Sequence, residues 1–153
     1  MDGRVRPPAL RRSRLMPAFP SDEWLQRYRD AINSSESYRE KAAGWEGDIT
    51  YVIGADAAAG FDEDVLAWVD LWHGSCRDAR LVDRDDGERA AYVISAPYSL
   101  WKSVLLGQLD PVKAMVQGKL KLRGDLPRMA EHVEATRELV SLAVGIATTF
   151  ADE

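Results

Sequence analysis

Residues 101–125 read WKSVLLGQLDPVKAMVQGKLKLRGD, with a glycine, or a glycine and an aspartate, at each change of direction. Trp101, Val104, Leu105 and Leu106 fall on one helix face, and Gly107 ends it. Asp110 is placed to cap a second helix, and Pro111 sits at its first position, where a missing N–H costs nothing. Val112, Met115 and Val116 make a small apolar face that stops at Gly118. Leu120 and Leu122 then alternate with Lys119, Lys121 and Arg123, the pattern of a half-buried strand. None of these residues forms a nucleophile pair, a metal-ligand set or a phosphate loop. The stretch is built to make an apolar wall, and the rest of the chain has to pack against it.

The preceding residues supply the packing partners. Ser21 reads as an N-cap, with Asp22 and Glu23 in the first turn, where the helix dipole favours negative charge. Trp24, Leu25, Tyr28 and Ile32 recur at helical spacing. A second short helix over 36–43 carries Tyr38 and Ala42 inward and ends at Gly44. Residues 45–48 turn into a strand over 49–54, and 55–64 form a loop of small and acidic residues. The apolar run 65–73, with Trp68, Val69, Leu71 and Trp72, predicts a central strand, followed by a strand over 76–82. Residues 84–88 read as a hairpin turn in which Asp86-Gly87 supplies positive φ. The next strand, 90–96, places Tyr92 and Ile94 on one face and Ala91, Val93 and Ser95 on the other. After 124–127 a last helix runs from 128 to about 150. Met129, Val133, Thr136, Val140 and Val144 form its stripe, widened by Leu139, Leu142, Ala143, Ile146 and Ala147.

Helix, helix, four strands, two helices, strand and helix predict an α+β domain. Tight turns make most of its five-stranded sheet antiparallel, with helices on a single face. Residues 1–18 read as a disordered leader, and Met16 offers an internal start, so that the first fifteen residues need not belong to the working protein. The domain then spans 19–150.

Charge narrows the partners. The formal net charge of −5 divides into +4 over residues 1–15 and −9 over the remainder. An acidic body repels phosphate, which argues against nucleic acid. The single cysteine, Cys76, allows no intrachain disulfide and fits a reducing, cytoplasmic setting. No run reaches the roughly 18 apolar residues of a membrane span, which argues against stable membrane insertion, and the terminal Phe150-Ala151-Asp152-Glu153 is no peroxisomal address.

Catalytic chemistry finds little support. The two histidines, His73 and His132, lack partners at metal-ligand spacing, and Cys76 lies outside any CxxC pair, so no metal or cofactor is expected. His132 is expected on a helix at the surface. His73 stands three residues before Cys76, but a strand and turn do not force the two to face each other. The acidic groups 62–64 and 83–88 fall in turns, where solvated charge explains them. The glycines match neither dinucleotide nor P-loop spacing. Five tryptophans and the Met, Leu and Val residues after position 100 leave two readings open: they close the core, or they line a cavity for an apolar ligand.

The order of motifs adds a resemblance. The segment 101–115, with tryptophan, glycine and then an Asp-Pro helix, and the Gly118-Lys119-Leu120-Lys121-Leu122-Arg123-Gly124-Asp125 strand are similar to those of the sterol carrier protein-2 (SCP2) domain family. Ser21-Asp22-Glu23-Trp24, Ile32-Asn33-Ser34, Tyr38 and Trp45-Glu46-Gly47-Asp48 resemble the opening of its bacterial members. The resemblance covers about 19–148. It implies helices around an apolar tunnel and the non-catalytic binding, and transfer, of sterols, fatty acids or fatty acyl-CoA. The residues expected at the tunnel wall are Trp101, Leu105, Met115, Leu122, Met129 and Val133. The alternative is an interaction module with a filled core, in which the wide apolar face of the last helix serves a homodimer or a partner protein.

Overall fold

The computed structural model describes residues 16–150 and 152. Of the leader expected over 1–18, residues 1–15 lie outside the described residues. Pro17 is fully buried, and β1 (Ala18–Phe19) pairs in parallel with β7 (Thr149–Phe150), which draws the two ends of the domain together.

Helix α1 (Asp22–Asn33) starts where Ser21 Oγ accepts the Trp24 N–H at 3.0 Å, and it buries Trp24, Leu25, Tyr28 and Ile32, as their spacing predicts. Ser35 caps α2 (Glu36–Lys41) in the same way, and Tyr38 and Ala42 go inward. Five strands follow in the sheet: β2 (Ile49–Gly54), β3 (Val65–Trp72), β4 (Ser75–Val82), β5 (Tyr92–Pro97) and β6 (Lys121–Arg123), in the spatial order β4-β3-β2-β5-β6. Three of the four pairings are antiparallel; β2 and β5 run parallel. The central strand is therefore β2, with β3 beside it, and the apolar run of β3 alternates more than a doubly buried strand would. Val69 and Leu71 are fully buried, whereas Trp72 is 38% exposed.

The parallel pair corrects the expected hairpin at 84–88. Those residues form a short helix, α3 (Arg84–Gly87), in which Asp83 Oδ1 accepts the Asp86 N–H at 2.9 Å. Strand β4 is an edge strand and β5 lies beyond β2, so the chain has to cross the sheet between them. It crosses on the face opposite the main helices, where Gly87 O accepts the Thr50 hydroxyl at 2.7 Å and Val52, Leu66 and Val93 form a second, small core. Gly87 is needed for space rather than for φ, because a Cβ there would stand 2.5 Å from Leu66 Cδ2.

The main core lies on the other face, under α1, α4 (Tyr98–Leu105), α5 (Pro111–Val116) and α7 (Val133–Val144). Asp110 caps α5 through the Val112 N–H at 2.9 Å, with Pro111 in the first turn. Two faces read from the sequence are narrower than expected. Leu106 caps α4 and is 47% exposed, and Val116 is 85% exposed, leaving Ala114 as the buried residue of α5.

The last helix is also corrected. It divides into α6 (Leu126–Glu131) and α7, because His132 adopts φ −117 and ψ 34, outside the helical region. Far from lying free at the surface, His132 is half-buried with its ring edge-on to Trp45 at 5.2 Å. The break rotates the buried face of α7 to Ala135, Leu139 and Ala143, which leaves Val133 and Val140 half-buried and Val144 at the surface. Two stripes competed in the sequence, and small alanines bring the helix closer to the core than valines would. Beyond Val144 the chain turns at Gly145 and ends in β7 instead of continuing as helix.

Candidate functional site

The residues of β2 alternate between the two faces of the sheet, and Ile49, Tyr51 and Ile53 point towards the main helices. Above them the helical layer does not close completely. One apolar cavity of about 60 Å³ lies between β2 and helices α1, α4 and α7, bounded by Tyr28, Tyr51, Trp101, Leu105, Val140 and Ala143 among others. A second, of about 40 Å³, lies nearer α5 and α6, bounded by Ile94, Met115, Met129 and Leu139. Tyr51, Trp101, Val104 and Val140 line both cavities and divide them. One water needs about 10–15 Å³ on this scale, so each cavity suits a few atoms of an alkyl chain rather than a whole lipid. Val104 and Val140 also border an open groove of about 580 Å³ between α4, α5 and the end of α7, which gives the interior a side facing solvent.

Trp101 fixes the partition. Its indole Nε1–H donates to Val52 O at 2.9 Å, and Tyr51 meets its ring at 5.5 Å and 87°. The polar edge of the indole is thereby satisfied, and the apolar face is left to the cavities. Tyr51 is half-buried and lines both cavities. Burial pushes its hydroxyl up to about 12 from the ordinary 10.0. Tyr28 is pushed up more strongly, again chiefly by burial, with Tyr51 as its neighbour.

Of the residues expected at an apolar wall, Trp101, Leu105, Met115 and Met129 lie on the cavities. Leu122 is half-buried opposite Ile94 at the β5–β6 edge, and Val133 is half-buried at the start of α7; neither lines them. Tyr51, Val104 and Val140 line both cavities and were not among the residues expected at the wall. Tyr51 was legible only as one apolar-face position in a strand whose pairing partners were not yet known. Val140 was read as part of a stripe, with no means of telling a core contact from a cavity wall.

The groups considered for catalysis are occupied elsewhere. Cys76 is buried, and its thiol, pushed up to about 11 chiefly by burial, donates to Asp78 O at 3.2 Å. His73 pairs with Glu46 at 2.6 Å. Arg84 ties the two acidic groups together, reaching Asp64 at 2.6 Å and Glu88 at 3.0 Å. Among the described residues there is no group of three His, Cys, Asp or Glu able to hold a metal, and no helix is long and apolar enough to cross a membrane.

Residues 25–136 match the family model described as the SCP-2 sterol transfer family. A crystal structure of sterol carrier protein 2 is 39% identical, with 83% of this chain and 98% of that one covered and a TM-score of 0.77. The solution structure of a conserved hypothetical protein from Thermus thermophilus is also 39% identical, covering 83% of this chain and 88% of that one at a TM-score of 0.74. Apo sterol carrier protein 2 from Yarrowia lipolytica shares the fold at 16% identity, covering 87% and 98% with a TM-score of 0.55. No curated protein matches the chain.

Proposed function

The chain belongs to the SCP-2 sterol transfer family, and from that premise we propose that it binds one hydrophobic ligand between β2 and the helical layer and carries it without chemical change. The ligand class is that of sterols, fatty acids or fatty acyl-CoA. The observation that carries the reading is the pair of apolar cavities divided only by Tyr51, Trp101, Val104 and Val140. Val104 and Val140 border both cavities and the outer groove, which makes them the route by which a ligand would enter. Three of the exposed large hydrophobics, Leu106, Val116 and Val144, belong to the elements that border that groove, where an apolar ligand would first be met.

Energetics suit a carrier. Each methylene removed from water contributes about 0.8 kcal/mol, so ten would supply roughly 8 kcal/mol before the costs of ordering and of parting the helices. The resulting affinity is micromolar at best, which permits release.

Titration of the purified protein with a fluorescent fatty acid, and native mass spectrometry of freshly expressed protein, test the proposal. The expected result is saturable binding of one ligand per chain and a co-purified lipid mass. Absence of saturable binding across several chain lengths and a sterol would overturn it.

A further inference from the structure

Resting on that reading of the cavities, we propose that the outer groove holds the phosphorylated head of the ligand. The ligand is then a single-chain amphiphile: its tail enters past Val104 and Val140, and its phosphate stays in the groove with Lys113 and Lys119.

The groove differs from the cavities in size and in chemistry. Its volume is about 580 Å³ against about 60 and 40 Å³, and it is open to solvent. Val104 and Val140 border all three spaces, so the two valines stand between an apolar interior and a polar exterior. The other walls of the groove bring side-chain donors: the ammonium groups of Lys113 and Lys119 and the amides of Gln108 and Gln117. Elsewhere Lys41 is held by Glu138 at 3.2 Å and Lys102 by Asp152 at 2.8 Å. No carboxylate among the described residues pairs with Lys113 or Lys119. The carboxylate at the groove wall, Asp110, is already engaged: Oδ1 accepts the Val112 N–H at 2.9 Å, and Oδ2 accepts from Arg137 at 3.1 Å.

Two unpaired cations beside a carboxylate that Arg137 offsets favour an anion, and the number of donors favours phosphate over carboxylate. A phosphate monoester carries about −1.5 to −2 charges at neutral pH and three acceptor oxygens, enough to engage both ammonium groups and an amide. A carboxylate carries one charge and leaves one ammonium unmatched. The lone hydroxyl of a sterol matches neither. The charge of −9 outside residues 1–15 opposes a polyanion spread over the surface. It bears less on one head group, because exposed charges beyond a Debye length of about 8–10 Å are screened while the groove lysines are in contact.

The test is displacement of the neutral dye phenylnaphthylamine from the full chain by decyl phosphate, decanoate and decanol, which share chain length and differ in head. The wild type is expected to prefer decyl phosphate to decanol by about tenfold and to decanoate by about threefold, and added salt is expected to shrink both ratios. Lys113 and Lys119 are exposed, so replacing them removes no core contact. Lys113→Gln combined with Lys119→Gln is expected to bring the phosphate-to-alcohol ratio to about one by weakening decyl phosphate. Lys121→Gln, exposed on β6 away from the groove, is expected to keep the wild-type ratio. Inorganic phosphate is expected to compete with decyl phosphate only in large excess; loss of the whole decyl phosphate advantage at equal concentration assigns the groove to free phosphate and overturns the proposal. Equal displacement by phosphate and alcohol, decanoate matching decyl phosphate, or a preference that survives the double replacement also overturns it, while leaving the cavities as a binding site. If none of the three amphiphiles displaces the dye, the binding reading falls and the head site falls with it.

Discussion

At the scale of single residues, Val140 and Gly87 show how position decides the effect of a side chain. Val140 stands half-buried between the two cavities and the groove. Val140→Phe adds a ring where there is void rather than packed neighbours, so the cost of overpacking is small. The expected outcome is a loss of ligand affinity of about tenfold with the thermal midpoint held or raised. A variant that binds as well as the parent would show that the ligand does not pass this point. Gly87 is the reverse case. A Cβ there meets Leu66 at 2.5 Å, Val82 at 3.2 Å and Thr50 at 3.3 Å, inside the small core beneath α3. Gly87→Ala should cost about 1–3 kcal/mol in urea unfolding, and a change within about 0.5 kcal/mol would mean that α3 yields freely. Trp101, Leu105, Met115 and Met129, expected at an apolar wall, border the cavities, because they fall on apolar helix faces that turn inward. Tyr51 and Val140 were not legible as wall residues, because a cavity is a failure of packing between elements distant in sequence.

At the scale of elements, α5 is the loosest wall of the site. It buries Ala114 alone, and its start depends on the Asp110 cap, with Arg137 reaching the same carboxylate at 3.1 Å. Asp110→Ala should destabilise the chain by about 1 kcal/mol, most of it through the cap, since an exposed ion pair contributes little. Asp110→Asn keeps the cap and should recover most of the loss. Amide exchange measured by mass spectrometry should be faster over 112–116 than in β2, and Asp110→Ala should speed it there first. Uniform protection across both elements would contradict a loosely held α5. Helices α1 and α5 were legible because their caps, Ser21 and Asp110, are local signals. The break at His132 was not, because nothing in the local sequence forbids one helix there. Contact with Trp45, far away in sequence, goes with the half-buried position of the ring.

At the scale of the whole molecule, the core holds ionisable groups in their neutral form. Burial is the chief cause of the rise at Tyr28, Tyr38, Tyr51 and Cys76, with Tyr51 at about 12 and Cys76 at about 11 against ordinary values of 10.0 and 9.0. The unfolded chain releases these protons near the ordinary values, whereas the folded chain keeps them. Their contribution to stability is therefore complete below about pH 9 and is lost as pH rises from about 9 to 12, each group costing about 1.4 kcal/mol per unit in its own window. Thermal midpoints should hold to about pH 9 and then fall, and tyrosine absorbance should change together with unfolding rather than before it. Free ionisation of every tyrosine near pH 10 in a still-folded chain would contradict the buried arrangement. The sequence by itself determined the α+β class, the five strands of the sheet, the capped helices and the apolar wall at 101–125, because caps, turns and periodicity act over a few residues. Only the tertiary structure decided that β5 runs beside β2 rather than β4, that the last helix breaks at His132, and that the space behind Trp101 is left partly empty around Tyr51. Each of these depends on contacts between residues tens of positions apart, and no local pattern records whether two such surfaces meet without a gap.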